Sequence, residues 1–306
     1  MNVRIGIDFG GTKVEAAALD LAGNVLTRIR TATPGSYEGA LAVLAGQVEE
    51  LESRLGKAGG VGIGTPGSAL AETGLMRNAN TLYLNGRPLQ RDLEQRMGRA
   101  VRLANDANCF ALSEAVDGAA AGAGSVFGLI VGTGCGGGLV VGGTMFGGAH
   151  GLAGELGHMP LPGPEADELP PPACWCGQKG CIESWISGTG FQRAYRELTG
   201  EARGAEAIVA AAKAGDATAG QALDRYRDRL ARALAIVANL LDPEVIVLGG
   251  GMSNVEALYE GLAEAVRARS FSGGWSGRVA KARWGDSSGV RGAALLWSRE
   301  EVLASR

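Results

Sequence analysis

Three of the five cysteines lie within eight residues, in the stretch CWCGQKGC from Cys174 to Cys181. Thiolates at this spacing repel one another unless a cation lies among them, and His158 precedes the cluster by 16 residues. A redox pair would have the pattern C-x-x-C, which is absent, and an odd number of cysteines argues against a disulfide framework. We therefore predict a closed, structural zinc site with the ligands His158, Cys174, Cys176 and Cys181, and with no open position for catalysis.

A second group of chemically useful residues surrounds the turn in IGIDFGGTK. Backbone N–H groups and a threonine hydroxyl can bind phosphate, and an aspartate can hold Mg²⁺ or its water shell. The residues concerned are Asp8, Gly10, Gly11, Thr12 and Lys13. The alternative interpretation is an ordinary glycine hairpin turn with a solvated aspartate.

Two further glycine-rich turns resemble the first. GTGCGGG begins with Gly132, Thr133 and Gly134 and has Val131 where the first turn has Asp8, whereas Gly249, Gly250 and Gly251 follow a strand. Two phosphate turns with one acid between them fit a nucleotide held between two lobes with one metal ion, and bare backbone at the third turn allows close approach of a base or ribose. Neither the Walker pattern nor a dinucleotide fingerprint is present.

Asp106, in the stretch VRLANDANCF, is the candidate general base. A carboxylate at a helix start near apolar residues can accept a hydroxyl proton during phosphoryl transfer. The same position would suit a helix N-cap equally well, so the local sequence leaves both readings open. Glu155 and His158, three residues apart, share a face if their turn is helical, and Glu183 follows Cys181 closely enough for the cysteine turn to carry it towards Glu155.

The elements that must position these residues are those of two α/β lobes, because 306 residues exceed what a single core normally supports. Strands are predicted at 3–8 and 14–19 and again at 126–131 and 139–141, with the second turn running from Gly132 to Gly138. The sequence patterns of the two hairpins align at an offset of 122 residues, which indicates an internal duplication. Helices are predicted at 39–55, at 223–241 and from near Ser253, and a surface loop at 161–172.

Composition excludes several partners. With 29 Lys+Arg against 32 Asp+Glu the net charge is −3, which gives no field to attract nucleic acid or an anionic membrane. The uncharged run from Gly118 to Gly154 is broken by glycine clusters, so we do not expect it to span a bilayer. The N-terminus has no secretory signal pattern, and we expect a cytoplasmic location.

The ordered motifs DFGGTK, NDAN, GELGH, CWCGQKGCIE and VLGGG resemble those of the ROK family of sugar kinases and repressors, essentially from end to end of the chain. The resemblance implies an α/β, two-lobed, actin-like (hexokinase-like) ATPase fold with duplicated mixed sheets and a zinc knuckle in the second lobe. We expect an N-terminal lobe at 1–117, a C-terminal lobe at 118–288, and the helix at 289–306 packing back on the first lobe. We expect no helix-turn-helix of the repressor kind, because the residues before Ile5 leave no room for one.

By this resemblance Asp106 is the catalytic base for the sugar 6-hydroxyl. Asn105, Glu155, His158 and Glu183 are similar to the family's sugar-contacting residues, and Asn78 opens a further substrate-binding loop. The His158 ring can hold zinc through one nitrogen and a sugar hydroxyl through the other. ATP, Mg²⁺ and structural Zn²⁺ are the implied cofactors.

The implied activity is ATP-dependent phosphorylation of a hexose. NANTLYLNG (78–86) and GDSSGVRGAA (285–294) resemble bacterial fructokinases and manno(fructo)kinases, so the expected acceptor is fructose or mannose. NDANCFALSEA is shared closely with N-acetylglucosamine kinases, so N-acetylglucosamine or glucose is the alternative acceptor. A sugar-responsive binding protein without catalysis is the alternative of another class; it has no need of Asp8 or Asp106. A hexose and ATP are the expected partners, and the oligomeric state stays open between a monomer and a homodimer.

Overall fold

The computed structural model describes residues 2–305. The strands are β1 (Val3–Phe9), β2 (Lys13–Asp20), β3 (Val25–Ala32), β4 (Gly60–Thr65), β5 (Ser68–Ala69), β6 (Met76–Arg77), β7 (Arg102–Asn105), β8 (Ser125–Val131), β9 (Cys135–Val141), β10 (Thr144–Met145), β11 (Val245–Gly249) and β12 (Arg278–Lys281). The helices are α1 (Tyr37–Leu55), α2 (Leu89–Met97), α3 (Asp106–Val116), α4 (Glu183–Ile186), α5 (Gly188–Thr199), α6 (Ala205–Lys213), α7 (Ala217–Leu241), α8 (Leu262–Arg269), α9 (Ser288–Leu295) and α10 (Arg299–Ala304).

The chain divides into two compact units. The first comprises residues 1–118, 138–153 and 286–306, and the second comprises residues 119–137 and 154–285. The structure therefore groups residues 138–153 with the first unit, whereas the division drawn from the sequence has them in the second. The C-terminal segment belongs to the first unit.

A mixed five-stranded sheet in the order β3-β2-β1-β4-β7 forms the centre of the first unit. Strand β1 pairs antiparallel with β2 and parallel with β4, which in turn pairs parallel with β7. Ile5 and Ile7 of β1 are fully buried with Leu44 of α1 and Leu93 of α2. Burial on this scale explains why the apolar runs fold as central strands.

Helix α9 packs against this sheet and against α3 through glycines. A Cβ atom at Gly6 would lie 2.0 Å from the carbonyl oxygen of Val290, and one at Gly62 would lie 1.9 Å from that of Ala293. At Gly292 of α9 itself it would lie 1.7 Å from the carbonyl oxygen of Cys109. Part of the high glycine content, 51 residues, thus serves helix–sheet contact rather than ligand turns.

The second sheet has the order β10-β9-β8-β11-β12 and repeats the arrangement of the first, with a strand–turn–strand segment beside two parallel neighbours. This shared order fits the duplication predicted from the sequence. Strand β9 begins at Cys135, so the predicted turn from Gly132 to Gly138 is too long. Gly137 and Gly138 belong to the strand rather than to the turn. Glycine is needed at both positions, because a Cβ atom at Gly137 would lie 2.4 Å from the carbonyl oxygen of Gly154, and one at Gly138 would lie 2.4 Å from that of Ala107.

Two predictions about other segments are wrong. No α-helix begins near Ser253; short 3₁₀ turns occupy that stretch, and α8 begins at Leu262. The segment 161–172 is not simply a surface loop, because Glu168 within it is buried and accepts hydrogen bonds from Arg229 and Arg232 of α7. Charge pairing of this kind is invisible in a proline-rich sequence.

Within residues 2–305, no helix combines the length and the hydropathy needed to cross a membrane.

Candidate active site

The predicted site residues fall into two groups, one in each unit. The first unit holds Asp8, the turn at 10–13, Asn78, Asn105 and Asp106, and the second holds the turns at 132–134 and 249–251, Glu155, His158, the three clustered cysteines and Glu183.

Asp8 and Asp106 form an acidic pair in the first unit. Asp8 lies near the end of β1, and Asp106 is the first residue of α3. Burial raises the pKa of Asp8 to about 7, and the charge of Asp106 adds to this effect. A Cβ atom at Gly289 would lie 3.1 Å from Oδ2 of Asp8, so the start of α9 packs against the carboxyl group. A half-buried carboxyl beside a second acid suits a site that receives a cation.

The turn after β1 is exposed and closely tied. The Gly10 N–H donates to the carbonyl oxygen of Lys13 (3.0 Å), and Thr33 donates its hydroxyl to the Gly10 carbonyl (2.7 Å). Gly11 and Thr12 at its tip are exposed, which leaves their backbone groups accessible to a phosphate.

Asn105, not Asp106, is the N-cap of α3. Its side-chain oxygen accepts from the Ala107 N–H at 2.9 Å, and its Nδ2 donates to the carbonyl oxygen of Gly67 at 3.3 Å. The capping role that the sequence left open for Asp106 is thus filled by its neighbour. The Asp106 Oδ1 also accepts from the Ala107 N–H, at 2.7 Å.

Asn78 lies in a loop that is fixed from within. Asn85 accepts from the Ala79 N–H and donates to the Ala79 carbonyl, both at 2.9 Å. Asn78 itself is exposed and has a positive φ of 56°, which asparagine tolerates better than most residues. The Cβ position of Gly67 lies 2.9 Å from the Asn78 carbonyl carbon, so the loop packs beside the residue that Asn105 contacts.

In the second unit the predicted ligands converge. One ligand atom each from His158, Cys174, Cys176 and Cys181 all lie within 4.8 Å of one another. The Cys174 Sγ is 3.7 Å from His158 Nδ1, and the Cys176 and Cys181 sulfurs are 3.6 Å apart. Two sulfurs bound to one tetrahedral zinc ion lie about 3.8 Å apart, so this donor set fits zinc in both chemistry and spacing. His158 turns Nδ1 to the sulfurs, which leaves Nε2 as its second nitrogen.

Glu183 and Glu155 lie near Cys135, at the start of β9. The Cys135 N–H donates to Glu183 Oε2 at 2.9 Å. Burial raises the pKa of the Cys135 thiol, and the charges of Glu183 and Glu155 raise it further. The structure thus brings both predicted sugar-binding glutamates to one strand end, and it keeps Cys135 as a neutral thiol.

The two glycine turns of the second unit pack together. The Cβ position of Gly250 lies 2.9 Å from the Gly132 nitrogen, a distance that only glycine allows. Gly132, Thr133 and Gly251 line a cavity of about 720 Å³. Its volume is in the range of small-molecule sites, and its walls combine backbone with polar and apolar side chains.

Sequence reasoning missed the opposite wall of this cavity. Gly188 at the start of α5 donates its N–H to the Gly132 carbonyl (2.7 Å), and Thr189 donates its hydroxyl to the Thr133 carbonyl (2.8 Å). Helix α6 adds further lining residues, which include Val209 and Lys213. The available signal was SGTG at 187–190, an N-cap serine followed by a glycine-rich helix start.

Comparisons with known proteins agree with this geometry. A sequence model of the ROK family matches residues 4–300, and the chain belongs to the ROK family. N-acetyl-D-glucosamine kinase from Pectobacterium atrosepticum is 44% identical over 95% of this chain and 97% of its own length.

Solved structures give the same result. A ROK hexokinase from Thermus thermophilus is 35% identical, with a TM-score of 0.86 and 99% of both chains covered. A ROK family glucokinase from Streptomyces griseus, in complex with glucose and AMPPNP, is 30% identical, with a TM-score of 0.79 over 98% of this chain and 100% of its own. The protein is a sugar kinase of this family with its hexokinase-like α/β fold.

Proposed function

We propose that this protein phosphorylates N-acetylglucosamine at the 6-hydroxyl, with MgATP as the phosphoryl donor. The observation that carries the proposal is the 44% identity to an N-acetyl-D-glucosamine kinase over nearly the whole of both chains. The fructose or mannose preference expected from two short loop motifs has no such support.

In this proposal Asp106 accepts the proton of the attacking hydroxyl. Asp106 is the first residue of α3, Asn105 serves as the cap, and the Oδ1 of Asp106 accepts from the Ala107 N–H. Asn78, Asn105, Glu155, His158 and Glu183 bind the sugar hydroxyls and orient the acceptor. A positioned base contributes roughly 10²–10⁴-fold to such a reaction.

The nucleotide is assigned to the glycine turns. Asp8 would hold Mg²⁺ or its water shell, and the turns at 10–13 and 132–134 would bind phosphate through backbone N–H groups other than those of Gly10 and Gly132, which donate within their own turns. Residues 249–251 would contact the base or ribose in the 720 Å³ cavity of the second unit. ATP would supply the transferred phosphoryl group and leave as ADP, and Mg²⁺ would offset the negative charge that develops on the phosphate oxygens.

We assign a structural zinc ion to the knuckle, the segment from Cys174 to Cys181. His158, Cys174, Cys176 and Cys181 would hold it with all four positions filled, so it orders the segment that carries Glu183 rather than taking part in catalysis.

A panel of acceptors tests the proposal: N-acetylglucosamine, glucose, mannose and fructose, each with MgATP. We expect kcat/KM for N-acetylglucosamine to exceed that for fructose and mannose by at least about tenfold, because a site built to bond the acetamido group leaves those partners unpaired with other sugars. The phosphorylated position is read by NMR of the product. A higher value for fructose would restore the fructokinase assignment, and binding without phosphorylation of any sugar would favour the sugar-responsive binding protein.

A further inference from the structure

Trp175 has an unusual position for a large apolar side chain. It lies between the knuckle residues Cys174 and Cys176, and 65% of it is exposed. An exposed indole gains little from burial, so its place needs another explanation than core packing. The contacts it makes supply one.

The indole N–H donates to Glu183 Oε1 at 2.6 Å. The ring also meets the imidazole of His158 edge to face, with centroids 5.0 Å apart and an interplanar angle of 86°. Trp175 therefore contacts two of the residues assigned to the sugar while belonging to the segment that the metal orders.

Glu183 is held at both of its oxygens. Oε2 accepts from the Cys135 backbone N–H at 2.9 Å, and Oε1 accepts from Trp175. The backbone donor belongs to β9 and the indole donor to the knuckle, so the carboxylate is oriented from two independent elements. Hydrogen bonds to a charged acceptor are among the stronger ones, and removing either donor frees rotation of the carboxylate.

We propose that Trp175 is a positioning residue for sugar recognition, which fixes the Glu183 carboxylate and the His158 ring and so connects the order of the knuckle to the affinity for the acceptor. The inference rests on the proposed function for its sugar. It assigns a role to Trp175, the residue between the first two cysteines. Metal binding by these cysteines does not itself require a tryptophan at this position.

Two substitutions separate the contacts. Trp175→Phe keeps an aromatic ring beside His158 and removes the N–H donor, and Trp175→Leu removes both. We expect Trp175→Phe to raise KM and the calorimetric Kd for N-acetylglucosamine about tenfold, with kcat changed much less, and Trp175→Leu to raise them further. Phe271→Leu, which removes an 86% exposed aromatic ring elsewhere in the second unit, is the matched control and should change neither.

A second readout does not depend on turnover. In ¹H–¹⁵N spectra of the zinc-loaded protein, the indole resonance that disappears in Trp175→Phe identifies Trp175. Glu183→Gln should move this resonance upfield, because a charged acceptor is replaced by a neutral one, whereas Glu201→Gln should leave it in place. Chelation of zinc should also move it.

The outcomes are distinct. The inference would be overturned if Glu183→Gln left the chemical shift of the Trp175 indole unchanged. A sugar Kd equal to wild type in both Trp175 variants would also overturn it. If another sugar proves to be the acceptor, the proposed function fails in its substrate, and the same variants measured with that sugar still decide the role of Trp175.

Discussion

Asn105 and Asp106 are adjacent residues with separate tasks. The side-chain oxygen of Asn105 accepts from the Ala107 N–H as the α3 cap, and one of its two amide hydrogens goes to the Gly67 carbonyl, so the proposed sugar contact falls to the second amide hydrogen. Asp106 is spared the capping role that its position would otherwise suggest. The same division explains why substitution at the two positions should have different consequences.

Asp106→Asn should keep the shape of the site and remove the proton acceptor. We expect kcat to fall by roughly 10²–10⁴-fold with the sugar Kd changed much less, because the base is needed only on the way to the transition state. Steady-state kinetics and calorimetry measure the two effects. Asn105→Ala is the contrasting variant: loss of the cap should cost about 1 kcal/mol of stability, and loss of the proposed sugar contact should raise the sugar Kd rather than lower kcat. A near-normal kcat in Asp106→Asn would mean that the base lies elsewhere, with Glu155 the next candidate.

Among the elements, the knuckle from Cys174 to Cys181 has little secondary structure of its own. It is fixed by backbone contacts, such as the Cys174 N–H to the Gln178 carbonyl (2.8 Å), and by its four convergent side chains. Helix α4 begins immediately after it with Glu183 and continues to Trp185 and Ile186, which are buried. The metal ligands and the second unit's core therefore hold Glu183 from opposite ends.

One zinc ion per chain is expected in freshly purified, untagged protein. Cys176→Ser should lower the zinc content and raise the sugar KM, since Trp175 and Glu183 lose their support, but the nucleotide turns should stay folded. Metal analysis and binding of a nucleotide analogue measure these effects. Cys109→Ser is the control, because Cys109 is a buried free thiol outside the cluster. Zinc well below one equivalent in wild type, or an unchanged zinc content and KM in Cys176→Ser, would contradict the assignment.

For the molecule as a whole, a net charge of −3 makes general self-repulsion small, so particular buried groups should dominate its response to acid. Two glutamates have a pKa lowered to about 2. Glu168 is 4% exposed, and the pKa falls because hydrogen bonds from Arg232 and Arg229 outweigh the opposing effect of its burial. Glu301 is lowered mainly by its hydrogen bonds with Arg102, but both side chains are about 40% exposed. Solvent therefore screens the Glu301–Arg102 pair, whereas it screens the buried contacts of Glu168 much less.

The buried contacts of Glu168 with Arg229 and Arg232 should dominate the loss of stability of the second unit at acidic pH. The pKa of Glu168 is lowered on folding, so its contribution is complete above about 4.5, the ordinary value, and is lost as the pH falls towards about 2. Glu168→Gln should cost about 3–5 kcal/mol in unfolding free energy at pH 7, because it leaves buried arginine charge uncompensated. Glu301→Gln should cost much less, because solvent screens its exposed pair with Arg102.

Urea denaturation at a series of pH values checks this prediction. The difference between wild type and Glu168→Gln should be constant above about pH 5 and should shrink on acidification between the two pKa values. A difference independent of pH down to about pH 3 would show that the loss comes from packing and not from the charge.

The chemically active residue types and most of the elements that carry them could be predicted from the sequence. The apolar runs of β1 and β8, the glycine turns after them and the periodicity of α7 follow from local patterns, and the ligand set of the knuckle follows from spacing. Local physics suffices for these because the determining residues are neighbours along the chain or repeat at the period of one element.

Which side chains contact one another could not be predicted from the sequence and depends on the fold of the whole chain. The Trp175 indole reaches Glu183, Gly188 closes on Gly132, and Glu168 is buried beside α7, across separations of 8, 56 and 61 residues. The acceptor preference drawn from short loop motifs also failed to find support, because specificity depends on side-chain directions set by packing across such distances. Contacts between segments distant in sequence depend on the whole fold, because a local sequence pattern does not identify the distant segment that it will contact.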